Sequence, residues 1–130
     1  MELREILIRS SLDDTMQPSL YGGSGSKEKR PLLVGLHTWS YDRFNQAENY
    51  LPLCEEYGWA LLLPEFRGPN LASNPHRHDA CGSLKARRDI LDAVDHVLQT
   101  SAVDYDNVFL HPMLRESRKV HYKRTVVFFI

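Results

Sequence analysis

The spacing of apolar positions changes along the chain, and each change marks a new element. Residues 3–9 (LREILIR) and 16–21 (MQPSLY) are short β-prone segments separated by the turn-forming pair Asp13-Asp14. They predict an antiparallel pair at the edge of a sheet, where Pro18, which has no N–H to give to a central ladder, is tolerated. Residues 32–36 and 59–63 are nearly continuous apolar runs, the pattern of strands covered on both faces in a parallel sheet. Between them Tyr50, Leu53, Cys54 and Tyr57 recur at helical spacing within residues 45–57, and Gly58 follows as a C-terminal stop. The spacing predicts a second helix over 83–99, with Ile90, Leu91, Val94, Val97 and Leu98 as its apolar stripe and Arg87, Arg88, Asp92 and Asp95 as its wet face. Residues 106–110 (DNVFL) form the next strand. The order β-β-β-α-β-α-β predicts an α/β fold, a mostly parallel sheet opened by an antiparallel N-terminal hairpin.

Composition narrows the function classes. A chain of 130 residues that is 42% hydrophobic builds one ordinary core. Its 16 basic and 17 acidic side chains leave no overall basic field to hold nucleic acid. Cys54 and Cys81 belong to no CxxC, so neither a disulfide framework nor a thiolate zinc site is expected, and a reducing compartment fits. The start, MELREILIRSSLDD, has the pattern of neither a secretory signal nor a membrane anchor, so no membrane partner and a cytoplasmic location are expected. The end differs in charge: Arg115, Arg118, Lys119, Lys123 and Arg124 stand against Glu116 alone. Residues 112–130 therefore form an atypical basic tail on a body of residues 1–111, expected as a solvated end.

The chemistry collects where strands end. PLLVGLHTWS, residues 31–40, turns abruptly from apolar to polar at His37, and in open α/β sheets ligands bind beyond the carboxyl ends of the strands. His37, Trp39 and Arg67 all follow strand ends and are expected to border one ligand crevice. The HRHDA stretch holds His76, His78 and Asp79 but lies in a Pro- and Asn-marked loop without a third supporting histidine, so a metal site is not expected. GGSGS lacks the Lys-Ser/Thr and following helix of a phosphate loop and is expected to be a connector. No cofactor is expected.

Taken in order, the hairpin, a strand ending in GLHTWS, a strand ending in PEFRG, the helix LKARRDILDAVDHV and the strand VDYDNVFL resemble the N-terminal half of an α/β-hydrolase domain of the prolyl oligopeptidase type, over about residues 1–110. The resemblance implies a three-layer α/β sandwich and a serine hydrolase of peptides or esters, acting through an acyl-enzyme. It also implies that the loop after the third strand gives a backbone N–H to an oxyanion hole, from Trp39 or, as the lesser candidate, Thr38, with His37 anchoring the loop. Arg67-Gly68 resembles the structural arginine-glycine step that borders such sites. The chain departs from the family in two places. Both glycines of the oxyanion loop are replaced, and the strand DNVFL leads to HPMLRESRKV instead of a G-x-S-x-G nucleophile elbow.

No glycine follows Gly82, so no such elbow forms after the strand, and Ser117, between Glu116 and Arg118, is a poor substitute. With no nucleophile, acid or histidine of the triad, the expectation is an inactive piece of a hydrolase domain. The alternative is a non-catalytic module that binds a ligand or a protein through the same fold. The 106–110 strand, central in the family, is then expected to lie at an edge and offer a surface for self-association. The ending TVVFFI is β-prone and uncharged, and either folds back beside that strand or itself drives aggregation.

Overall fold

The computed structural model describes residues 1–80, 82–111, 119–122 and 125–129, the last two stretches through their strand pairing. In chain order the elements are β1 (Arg4–Arg9), β2 (Met16–Gly22), β3 (Arg30–Gly35), α1 (Ala47–Tyr57), β4 (Ala60–Pro64), α2 (Leu84–Thr100), β5 (Val103–His111), β6 (Lys119–Tyr122) and β7 (Thr125–Phe129). The strands form one sheet in the order β1-β2-β4-β3-β5-β7-β6. Pairing is antiparallel from β1 through β2 to β4, parallel among β4, β3, β5 and β7, and antiparallel again between β7 and β6. No helix among the described residues is long and apolar enough to cross a membrane.

The continuous apolar runs are explained by two covered faces. Successive strand side chains point to opposite sides. Leu32, Val34 and Leu62 therefore pack against Ile90, Ala93, Val94 and Val97 of α2, while Leu33, Leu61 and Leu63 pack against Tyr50 and Cys54 of α1. Each such aliphatic side chain contributes roughly 1.5–3 kcal/mol by leaving water, which is why both runs admit no polar residue. Ser83 starts α2 by accepting the Ala86 N–H at 3.0 Å, and Gly58 ends α1 with φ of 68°. Asp92, expected on the wet face of α2, is instead buried, because its carboxylate takes the Ser11 N–H at 2.7 Å and the Arg88 Nε at 3.1 Å.

Two expectations about the end of the chain are corrected. The strand read as 106–110 begins at Val103, with a register shift where Asp104 accepts the Asp106 N–H and the Asn107 amide and bulges the strand. It is not an exposed edge, because β7 pairs with it in parallel at Val108–Leu110. Thr125–Phe129 of TVVFFI thus takes the first of its two expected courses, and residues 119–122 and 125–129 form strands where a solvated end was expected. The open ladder beside β5 offers backbone partners to a β-branched segment, and that outweighs the local charge. Cys81, Ser117 and the rest of 112–118 lie outside the described residues.

Candidate functional site

The site region lies beyond the C-terminal ends of β3, β4 and β5. His37 comes first, two residues past β3, and is 2% exposed. Its ring stacks on Phe66 with centroids 4.1 Å apart, and its two nitrogens lie 2.9 Å from the Thr38 carbonyl oxygen and 2.6 Å from that of Glu65. A carbonyl only accepts, so the imidazole supplies the proton, and a neutral ring, which carries one N–H, donates to one of the two oxygens according to its tautomer. His37 links the loop after β3 to the loop after β4 through its contacts with Glu65 and Phe66.

The consequence falls on the next peptide. The Thr38 oxygen accepts the Tyr41 N–H at 3.1 Å and lies 2.9 Å from His37 Nδ1. The Thr38–Trp39 peptide is trans, so its N–H points away from that oxygen. The Trp39 carbonyl is held in turn by the Asn70 N–H at 2.8 Å. Of the two candidate donors, the Thr38 N–H is already given to Asn45 Oδ1 at 3.2 Å. The Trp39 N–H has no acceptor among the described residues, and the residue is 51% exposed. Tyr41 and Phe44 extend the exposed aromatic surface.

Arg67 does not line an open crevice with these groups. It is 1% exposed, and its guanidinium is consumed by Asp89 (Nε to Oδ2, 2.5 Å), by both oxygens of Asp13 (2.8 Å each) and by the Ser10 hydroxyl (3.1 Å). The hydrogen-bonded Asp13 carboxylate, with Asp89, raises the Arg67 pKa against the opposing effect of burial, and the Arg67 guanidinium holds Asp13 well below the ordinary carboxylate range. Phe66 and Arg67 both have positive φ, 33° and 78°, which the guanidinium network and the Arg67 N–H bond to Gln17 Oε1 hold in place. The arginine is a clasp joining the β1–β2 turn, the β4 loop and α2. A physical signal for this existed in the sequence: Asp89 falls on the buried stripe of α2 beside Ala86, Ile90 and Ala93, and an acid there needs a buried partner.

Other groups escaped the sequence reading. Arg43 bridges Glu65 and Glu5, whose carboxylates raise its pKa although burial opposes them. Tyr50 hydrogen-bonds through its hydroxyl to His111 Nδ1 at the end of β5, and burial lowers the His111 pKa toward the neutral ring. Burial alone pushes the Cys54 thiol up to about 11, so it is unreactive at neutral pH. His76 and His78 sit on the loop around a short 3-10 turn, Arg77–Asp79, and Asp79 faces Lys85 at 3.7 Å. An open cleft of about 510 Å³ lies at the other end of the parallel strands, bordered by Met1, Gly23, Cys54 and Gly58, away from Trp39.

No protein-family model matches the chain, and no curated protein sequence matches it. Solved structures do. The acylaminoacyl peptidase of Pyrococcus horikoshii is similar at 18% identity with a TM-score of 0.65, over 85% of this chain and 18% of that one. A bacterial heroin esterase (15% identity, TM-score 0.63) and oligopeptidase B of Leishmania major (13%, 0.63) each match over 85% of this chain, which spans 34% and 16% of their lengths. The chain therefore corresponds to less than half the length of each of these proteins. At such identities the likeness establishes architecture alone: the chain has the α/β-hydrolase fold over the part it matches.

Proposed function

We propose that the chain carries the oxyanion-loop side of a serine-hydrolase acyl-transfer site for peptide amides or esters, and that by itself it performs no turnover. The observation that carries this reading is the Trp39 N–H, which points away from its tethered peptide oxygen and has no acceptor among the described residues. A developing oxyanion is stabilised by such a pre-oriented donor, which needs no reorganisation as charge appears. Catalysis also needs a nucleophile with a base in reach, and residues 1–130 contain no G-x-S-x-G elbow. The experiment is labelling with a fluorophosphonate probe alongside p-nitrophenyl ester hydrolysis. The expected result is no labelled serine and a rate at background, whereas stoichiometric labelling of any serine contradicts the reading.

The exposed rings of Trp39, Tyr41 and Phe44 favour a second reading, a non-catalytic module that binds an apolar ligand or polypeptide at the same loop. Saturable binding of such a ligand with no acyl chemistry, abolished by Trp39→Ala, is what this reading requires.

A further inference from the structure

Strand β1 has a neighbour on one side only. It closes the sheet at the end opposite β6, and the outer backbone groups of Arg4–Arg9 meet no strand among the described residues. Such an edge is a template for another strand, and its side chains decide which one fits. Ile6 and Ile8 turn toward α2, where Ile8 is buried and Ile6 packs on the same cluster. Glu5, Leu7 and Arg9 share the other face, with Leu7 58% exposed and the Arg9 and Glu5 side chains 69% and 48% exposed.

We propose that β1 pairs antiparallel with β1 of a second copy of the chain, about a two-fold axis through Leu7. In that register Glu5 of each copy lies opposite Arg9 of the other, Leu7 opposite Leu7 and Ile6 opposite Ile8. Charges on an edge strand usually keep edges apart, but here they are complementary in this one alignment. Moving the axis to Ile6 sets Glu5 opposite Leu7, and moving it to Ile8 sets Arg9 opposite Leu7, so in neither does one charge face the other. Contacts within the chain leave the groups available. Arg43 uses only Oε2 of Glu5, and the Arg9–Asp14 pair, 3.9 Å between two exposed side chains, contributes little. The joined sheets bury the Leu7 side chains against each other and satisfy both edges, independently of any chemistry at Trp39.

Sedimentation velocity of the full chain over a range of micromolar concentrations tests this. The expected result is a concentration-dependent dimer, weakened roughly tenfold or more by Arg9→Glu and by Leu7→Lys, both at exposed positions that leave folding intact. Glu5→Arg also weakens the homodimer, and mixing it with Arg9→Glu produces a heterodimer, because each variant then offers the other the opposite charge at both positions. If Glu5→Arg fails to fold through loss of Arg43, the Arg9→Glu and Leu7→Lys results decide alone. A monomer at every concentration, a dimer indifferent to Arg9→Glu and Leu7→Lys, or two folded variants that do not associate on mixing would overturn the proposal.

Discussion

Arg67 and Asp89 meet in the interior with Nε 2.5 Å from Oδ2 and both side chains 1% exposed. A charge pair so buried contributes less through its mutual attraction than it costs when one partner is removed. Asp89→Ala leaves the Arg67 guanidinium with Asp13, Ser10 and Thr15 as its remaining acceptors, and is expected to lower stability by about 3–5 kcal/mol. Urea unfolding checks it. The double variant Arg67→Met/Asp89→Leu is expected to lose less than the two single changes together, since it leaves no unpaired charge.

The same clasp sets an acid dependence. Arg67 holds the Asp13 carboxyl well below its ordinary value, so below about pH 4 the unfolded chain takes up a proton that the folded chain refuses. The stabilisation is complete above the ordinary carboxylate pKa, and it is lost as pH falls toward the lowered folded value. Asp13→Asn is expected to be less stable at neutral pH and to lose stability less steeply below pH 4. Parallel slopes for the two proteins would show that Asp13 is not the group that titrates.

Helix α1 lies close on β3 at Gly35. A Cβ on Gly35 would stand 2.7 Å from the Tyr50 ring and 2.8 Å from Leu63 Cδ2, so Gly35→Ala forces the helix outward. The expected cost is about 1–3 kcal/mol. It also disturbs the Tyr50–His111 bond, read as a changed His111 titration by NMR.

Most of the architecture was legible because it rests on local periodicity. The two apolar runs, the stripe of α2 and the Gly58 stop each found their element within a few residues. What was not legible depends on partners far apart in sequence. Arg67 follows a strand end, as a crevice residue would, yet its fate is set by Asp13 and Asp89, 54 and 22 residues away. Trp39 was preferred to Thr38 by its place after β3, but the bond that occupies the Thr38 N–H comes from Asn45, which no spacing rule announces. The pairing of β7 with β5 joins a β-prone segment to a ladder that only the folded sheet presents.

The account turns on the Trp39 N–H, and its amide resonance in a ¹⁵N-labelled chain is the most direct witness. Titration with phenylphosphonate, a tetrahedral oxyanion, is expected to move that resonance downfield in proton shift and to saturate, while the Thr38 amide, bonded to Asn45, stays in place. In Asn45→Ala the Thr38 amide is freed and is expected to respond as well. An unmoved Trp39 amide, or a Thr38 amide that shifts first in the unaltered chain, would contradict the assignment of this loop as an oxyanion donor.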